Sequence, residues 1–271
     1  MDEYLKRIEV RKIEENSETL SYRINHIDPS VLNALRRTII SDTQTVAIHW
    51  VYIRENETVM ADEILAHRIG LIPVIAHPSI ISPIEKNNIF NPDTDLTDEN
   101  SIFMELAVEN KTDKILSVYS DDIKIGSSKN IQLKSKVFIT RLAPHKRIEC
   151  RLYAILGTGR DHSKWMPTSV CYYRCIKQIE LKDPSRAQEI KKYFRDGFSV
   201  DENGPQVDED KLLVNMDVLK KHPDIVNIQT KEDSFLFEIE TISESPKEIV
   251  KRGFAALREN LKELETAANR E

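Results

Sequence analysis

The sequence predicts an α+β fold, and three stretches of the chain support this prediction. Near the start, apolar residues alternate with polar ones on both sides of the turn-forming residues 14–17, which is typical of a β-hairpin. The middle of the chain contains further runs with the same strand-like pattern. From Ser245 onward, apolar residues instead recur every three or four positions, which is typical of a helix.

A first long helix is predicted directly after the hairpin, over residues 29–41. Asp28 can cap its first turn, and Pro29 suits the first helical position, where a backbone N–H would have no helical acceptor. Arg36 and Arg37 flank its apolar side. We call that side the N-terminal stripe, and it consists of Leu32, Leu35 and Ile39.

The middle of the chain is predicted to be rich in β-structure. A short helix over residues 62–69 ends beside Gly70, the residue type that most often terminates helices. Residues 76–101 contain three prolines and no periodicity, which predicts a long surface excursion or, equally, a partly disordered segment. The predicted strands cover residues 46–53, 102–108, 136–139, 149–155, 168–179 and 234–242, with a short helix over 212–221.

The C-terminal helix is the most informative periodic feature. Ser245 and Glu248 have the spacing of a capping box, and Pro246 occupies the first helical position. The apolar residues that follow form a heptad pattern, narrower than the face of a helix buried on its own domain, so we infer a partner helix. Packing on the chain's own sheet, on the first helix or on a second chain stays open. This C-terminal stripe consists of Phe254, Leu257, Leu261 and Leu264.

Composition excludes several classes of protein. The net charge of −6 provides no general basic field for a nucleic-acid backbone, and only 7 glycines leave little material for phosphate-binding loops. Three cysteines form no disulfide framework, and no stretch has the length and apolarity of a membrane-spanning helix. We therefore expect a soluble intracellular protein.

Three candidate chemical sites are weak. Cys171 and Cys175 would stand too far apart along a strand to share a zinc ion. The Gly157 to Arg160 segment lacks a following helix N-terminus that could bind a phosphate. A stand-alone enzyme with an Asp/His/Ser site around 161–163 remains the alternative, although no G-x-S-x-G pattern is present. An unrelated protein-interaction module is the other alternative.

Three motifs resemble the larger α-like subunit of multisubunit DNA-directed RNA polymerases. The first is LNALRRTIISD at residues 32–42, the second DEILAHRIGLIP at 62–73, and the third GRDHSKWMP at 159–167. The three motifs occur in the order expected for the family. Together with the C-terminal helix, they extend over most of the chain. The resemblance extends to the third-largest subunit of RNA polymerase II, to the shared α-like subunit of polymerases I and III, and to the corresponding α-like subunit of the archaeal enzyme.

The resemblance implies a non-catalytic assembly and scaffold subunit without a cofactor. Its dimerisation domain would combine residues 1–45 and 170–271 in a sheet with two interface helices, and residues 46–169 would form an inserted β-rich domain. The first and last helices would pair with the smaller α-like subunit. The heterodimer would then dock the second-largest and largest subunits and small assembly subunits, without direct contact to nucleic acid or membrane.

The resemblance also assigns residues to these roles. The partner interface would contain both stripes together with Arg36 and Arg37. The second and third motifs would face the second-largest subunit or small assembly subunits, with Trp165 as an anchor. Their expected assembly residues are Glu63, His67, Arg68, Asp161, His162, Lys164 and Trp165.

Two further expectations concern metal and location. Relatives often carry a cysteine-rich zinc loop or an iron–sulfur domain, but residues 76–104 contain no cysteine, so we expect no metal site. The protein is expected with the transcription machinery, in the nucleus for a cellular eukaryotic subunit and in the cytoplasm or virion for an archaeal or viral one.

Overall fold

A computed structural model describes residues 2–85, 88–91, 95–126 and 130–269 of the chain. The chain divides into two compact units. The first comprises Met1–Arg36 and Val170–Glu240, and the second comprises Arg37–Ser169 and Thr241–Glu271. Helices and strands are both well represented, so the predicted α+β class is confirmed.

The helices and strands of the described residues range from two residues in β4 to 23 residues in α6. The helices are α1 (Asp2–Arg7), α2 (Pro29–Ser41), α3 (Asp62–Gly70), α4 (Ala187–Ile190), α5 (Asp217–Lys221) and α6 (Pro246–Ala268). The strands are β1 (Glu9–Glu15), β2 (Thr19–Asn25), β3 (Gln44–Asn56), β4 (Val74–Ile75), β5 (Ile102–Glu109), β6 (Leu116–Tyr119), β7 (Ile123–Ile125), β8 (Gln132–Leu133), β9 (Phe138–Leu142), β10 (Arg147–Thr158), β11 (Thr168–Leu181), β12 (Phe194–Asp196), β13 (Phe198–Asp201), β14 (Gly204–Val207), β15 (Leu213–Val214) and β16 (Val226–Thr241). Short 3-10 helices include Pro78–Ile80, Ser163–Trp165 and Lys191–Tyr193.

The first unit is built on a four-stranded sheet with the order β1-β2-β16-β11. The predicted hairpin is confirmed, with Glu9 opposite Asn25 and Glu15 opposite Leu20. Two smaller sheets, β12-β15 and β13-β14, belong to the same unit. They lie near a separate apolar cluster formed by Ala187, Ile190, Phe198, Leu212, Val218, Ile225, Val226 and Ile228.

Helix α2 begins as its sequence predicts. The Asp28 carboxylate accepts a hydrogen bond from the Ser30 backbone N–H at 2.8 Å, which caps the first turn. The N-terminal stripe is buried in the folded chain, since each of its side chains is at most 3% exposed. The exposed side of the helix carries Val31 and Arg37.

The second unit is built on a sheet with the order β3-β10-β5-β7. The edge strand β3 pairs with β10 in a long antiparallel ladder, running from Gln44 opposite Thr158 to Asn56 opposite Ile148. Helix α3 buries Leu65 and Ile69 in the largest apolar cluster of this unit. The predicted strands of this region are present, and each is longer in the structure than the apolar run that indicated it.

Three local predictions need correction. The Ser245 side chain makes no cap hydrogen bond, so the predicted capping box is not formed; the Ser245 carbonyl oxygen instead accepts from Glu248 N at 3.0 Å. The predicted helix over 212–221 consists of β15 followed by α5. The excursion over 76–101 is not wholly superficial, because Ile81 and Ile89 are buried. Residues 86, 87 and 92–94 of that excursion lie outside the described residues.

Helix α6 belongs to the second compact unit, whereas the predicted dimerisation domain joins it to residues 170–240. Two hydrogen bonds within the unit tie α6 to residues 42–44. Arg252 donates to the Gln44 carbonyl oxygen at 3.3 Å, and Asn260 donates to the Asp42 carboxylate at 2.9 Å. A compact unit reflects contacts within this chain alone, so the domain boundaries of the dimerisation domain stay a prediction.

Candidate functional site

The second and third motifs both lie in the second unit. The second motif forms α3 and the residues after it, and the third motif forms the loop after β10 with its short helix Ser163–Trp165. The loop returns to β3, where the Thr45 hydroxyl donates to the Trp165 carbonyl oxygen at 2.6 Å. The strand β3 therefore supports the loop of the third motif.

Trp165 holds this loop from the inside. Its side chain is 0% exposed, and its indole N–H donates to the Ile155 carbonyl oxygen at 3.2 Å. It packs in a small cluster with Ala47, Ile89 and Ile155. The buried ring therefore fixes the loop to the interior of this chain, and its role as an anchor for a partner stays a prediction.

Two glycines allow the loop to approach so closely. A Cβ atom added to Gly157 would lie 2.4 Å from Cε2 of Trp165, and one added to Gly159 would lie 2.0 Å from the Ile40 carbonyl oxygen. Neither distance is compatible with a side chain. These glycines serve chain packing, which agrees with the sequence argument against a phosphate cradle.

Lys164 and His49 form a polar pair beside the tryptophan. The Lys164 ammonium group donates to the Ile48 carbonyl oxygen at 2.9 Å and lies 2.7 Å from His49 Nδ1. Since His49 Nε2 lies 3.0 Å from the Ile89 carbonyl oxygen, which can only accept, we assign the imidazole proton to Nε2. Nδ1 is then free to accept the hydrogen bond from Lys164.

Burial sets the protonation of this pair. Desolvation, with the nearby Lys164 charge, lowers the pKa of His49 to about 4, so its ring is neutral at neutral pH. Desolvation also lowers the pKa of Lys164 to about 8, close to neutral pH. The Lys164 ammonium group also lies 4.6 Å from the Trp165 ring centroid.

Helix α3 contributes both structural and exposed residues. Arg68 donates from Nε to the Ile139 carbonyl oxygen and from Nη2 to that of Phe138, both at 2.9 Å. Glu63 and His67 are exposed. Arg68 therefore ties α3 to β9, while Glu63 and His67 are available to a partner.

His67 and His162 line one cleft, which we call the motif cleft, of about 370 Å³. His49, Trp50 and Lys164 line it as well. The Trp50 indole nitrogen is buried and has no acceptor within the described part of the chain. Sequence reasoning did not assign His49 or Trp50 to this cleft, although a signal was present: both residues place polar ring nitrogens in the apolar run of β3.

Asp161 and His162 are used in the local loop. The Asp161 carboxylate accepts from the Thr158 N–H and hydroxyl at 3.0 and 2.8 Å. His162 Nδ1 accepts from the Lys164 backbone N–H at 3.1 Å. Burial, followed by the charge of Lys164, lowers the pKa of His162. These contacts explain the two residues as parts of a shaped loop.

The C-terminal stripe is largely uncovered. Phe254 is 52% exposed, Leu261 58% and Leu264 66%, whereas Leu257 is half-buried. From Leu261 to Ala268 every residue of α6 is exposed. Arg36 is fixed on α2 by two hydrogen bonds to the Asn33 side-chain oxygen, at 3.0 and 3.2 Å.

The three cysteines lie apart from any metal-binding arrangement. Burial raises the pKa of the Cys150 thiol to about 11 and that of Cys171 to about 12. Among the described residues, no group of three or more His, Cys, Asp or Glu side chains is arranged to hold a metal ion. Within the same residues, no helix has the length and apolar character needed to cross a membrane.

Comparison with known proteins matches these features to one family. The family described as RNA polymerase Rpb3/Rpb11 dimerisation domain matches residues 22–261. The chain is 30% identical to DNA-directed RNA polymerase subunit Rpo3 of Thermococcus kodakarensis over 89% of this chain and 90% of that protein. It is 28% identical to DNA-directed RNA polymerases I and III subunit RPAC1 of Saccharomyces cerevisiae, over 92% and 84% respectively. The human RPAC1 is 24% identical over 90% of this chain and 79% of its own length. Because the family match covers most of the chain, this protein belongs to the α-like RNA polymerase subunits that carry the Rpb3/Rpb11 dimerisation domain.

Proposed function

We propose that this chain is the non-catalytic assembly and scaffold subunit of a DNA-directed RNA polymerase, and that α6 binds the smaller α-like subunit. The observation that carries the proposal is the exposed C-terminal stripe. Apolar side chains at heptad spacing on a solvent-exposed helix are the surface that a second helix covers in a coiled-coil-like pair.

The N-terminal stripe supports the same interface differently. Leu32, Leu35 and Ile39 are buried in this chain, so they fix α2 rather than offer surface. In the same motif, Arg37 is exposed and Arg36 is half-buried. An arginine fork at the edge of an interface can bind carboxylates or carbonyl oxygens of the partner. We propose this role for both.

The motif cleft is our candidate docking surface for the second-largest subunit or the small assembly subunits. His49, Trp50 and Lys164 form its half-buried side, and His67 and His162 form its exposed side. The buried Trp50 N–H lacks an acceptor within the described residues, and a partner carbonyl or carboxylate oxygen would satisfy it. The acidic net charge agrees with a position away from nucleic acid.

The direct test is purification of the tagged chain from its native source, followed by mass spectrometry. We expect the smaller α-like subunit, both large subunits and the small assembly subunits in near-equal amounts. Separating the nuclear, cytoplasmic and virion fractions before this purification shows which compartment contains the complex. A monomeric chain without polymerase subunits would contradict the proposal.

A double variant separates the two docking surfaces. His67→Glu plus His162→Glu changes two exposed residues of the motif cleft. We expect this variant to retain the smaller α-like subunit and to lose the large subunits, because like-charged carboxylates in the cleft disfavour a partner oxygen. Lys124→Glu, an exposed change outside the cleft, is the control. Retention of every subunit by the double variant would overturn the docking role of the cleft.

A further inference from the structure

The first unit contains a cleft that the proposed function does not use. It has a volume of about 680 Å³ and lies beside β11, β12 and β15. We call it the basic cleft, because four cationic side chains line it: Arg174, Lys177, Lys192 and Arg195. Its lining residues, as far as the structure describes them, include no carboxylate.

These four cations are not neutralised locally. Among the described residues, none of the four forms a salt bridge with an Asp or Glu side chain. The chain as a whole has a net charge of −6, so the basic cleft is a local reversal of the general charge. Such a reversal creates a local positive potential that attracts an anionic ligand.

The acidic segment of Glu209 and Asp210, whose backbone contacts Arg174, has its carboxylates paired elsewhere. Asp210 forms salt bridges with Arg11 and Arg23, and Glu209 pairs with Arg23 at 2.8 Å and with Lys231 at 3.3 Å. Only the backbone carbonyl oxygen of Asp210 contacts the cleft, where it accepts from Arg174. The carboxylates of this segment therefore do not satisfy the cleft cations.

The cationic groups are held over neutral surfaces. Arg174 also donates to the Leu212 carbonyl oxygen at 3.4 Å, which orients its guanidinium group. The Lys177 ammonium group lies 3.5 Å from the Met216 sulfur, and that of Lys192 lies 5.4 Å from the Tyr193 ring centroid. A thioether and an aromatic ring are weak partners, so a carboxylate would be preferred.

Exposed apolar side chains accompany this charge. Leu213 lines the basic cleft and is 47% exposed, and Met216, which contacts Lys177, is 41% exposed. Aliphatic surface contributes little to binding a phosphate backbone. Single-stranded nucleic acid instead needs aromatic faces for its bases. Tyr193 is half-buried and is already contacted by Lys192, by Lys221 at 5.6 Å and by His222 at 5.4 Å.

We propose that the basic cleft binds an acidic segment of a partner protein whose carboxylates alternate with apolar side chains. The carboxylates would pair with Lys177, Lys192 and Arg195, and the apolar side chains would cover Leu213 and Met216. This site is separate from the proposed dimerisation helix and motif cleft in residues and in chemistry, so it stands or falls independently of them.

The test is fluorescence anisotropy with the full-length chain and three labelled probes. The first probe is a short peptide of alternating Glu and Leu, the second has Ser in place of Leu, and the third is a single-stranded RNA of equal charge. We expect the Glu/Leu peptide to bind at least about fivefold more tightly than the other two, because only it matches both the charge and the apolar surface.

Variants locate the binding. Lys177→Glu plus Arg195→Glu is expected to lower the affinity for the Glu/Leu peptide at least about tenfold. Leu213→Ser is expected to lower it about fivefold. Lys6→Glu plus Lys124→Glu makes the same charge change at exposed positions outside the cleft, and we expect its affinity to stay within about twofold of the unchanged chain. Lys177→Gln plus Arg195→Gln, checked by thermal unfolding, separates lost binding from lost folding.

Three results would overturn the proposal. The first is an equal loss of affinity in the cleft variant and the charge-matched control. The second is equal affinity for the Ser and Leu peptides. The third is RNA binding that is tighter than peptide binding and is lost in the same cleft variants. The last result would assign the cleft to nucleic acid.

Discussion

Two helices of this chain carry apolar stripes of similar spacing, but the chain covers only one of them. On α2, Leu32, Leu35 and Ile39 are almost completely buried, whereas on α6, Phe254, Leu261 and Leu264 are more than half exposed. Burying a leucine side chain is favourable by on the order of 1.5–3 kcal/mol relative to leaving it exposed to water. The N-terminal stripe therefore stabilises the fold of this chain. The C-terminal stripe would instead stabilise a complex, because its side chains are buried only when a partner binds.

The largest effect is expected from truncating the buried stripe. Leu35→Ala should lower the free energy of unfolding by about 2–5 kcal/mol, since it removes buried methyl groups and leaves a cavity. Val31→Ala on the same helix changes an exposed side chain and should cost less than about 0.5 kcal/mol. Chemical denaturation measures both. An unchanged midpoint for Leu35→Ala would show that this stripe is not packed within the chain.

The glycine beneath Trp165 tests a second interior contact. Gly157→Ala would place a methyl group 2.4 Å from the ring, so we expect a loss of about 1–3 kcal/mol through overpacking. The Trp165 fluorescence should change with it, because the indole would have to move. Gly204→Ala is a contrasting case: it meets no neighbouring atom within 4 Å, but its φ of 103° strains any side chain there. A normal fluorescence spectrum and normal stability for Gly157→Ala would refute the contact.

The pH dependence of stability reports on His49. Its pKa in the folded chain is about 4, below its ordinary value of 6.5, so between these pH values the unfolded chain binds the additional proton. Stability should therefore fall as the pH decreases from about 6.5 towards 4, because the proton bound in this range favours the unfolded chain. Urea unfolding at pH 7.5 and 5.5 should show a smaller loss in His49→Gln. Equal losses in the two proteins would exclude His49 as the source.

The smallest effect on stability is expected on the exposed stripe. Leu264→Ala should change the free energy of unfolding of the isolated chain by less than about 0.5 kcal/mol, because the side chain makes few contacts there. The same change should reduce self-association of the purified chain, measured by analytical ultracentrifugation. A cost comparable to that of Leu35→Ala would erase the difference between the two helices.

Much of the fold follows from local sequence patterns. The hairpin, the Asp28 cap of α2 and the extent of α6 were predictable, because alternation, capping residues and heptad spacing act over a few residues. The absence of the capping box expected at Ser245 was not predictable, since its residues allow the motif without enforcing the side-chain geometry. The element that covers each stripe was also unpredictable. Periodicity identifies the apolar side of a helix, but it does not identify the element that packs against that side.

The site was predictable in its motifs and not in its geometry. The second and third motifs indicated the residues that meet at the motif cleft. The interior position of Trp165 and its dependence on Gly157 required the long-range pairing of β3 with β10. His49 and the basic cleft were missed for the same reason: their partners are distant in sequence.

The most direct test of the central claim is capture of the smaller α-like subunit by an α6 variant. Leu261→Glu plus Leu264→Glu places two charges on the exposed stripe and lowers the net charge by two, as does Lys262→Glu at the exposed position beside it. We predict that the tagged Leu261→Glu plus Leu264→Glu variant folds with unchanged thermal stability. The amount of the smaller α-like subunit that it captures should fall at least about 100-fold, because charge would be buried in the interface. Lys262→Glu should retain the subunit. Undiminished capture by the double variant would contradict the assignment of α6 as the dimerisation helix.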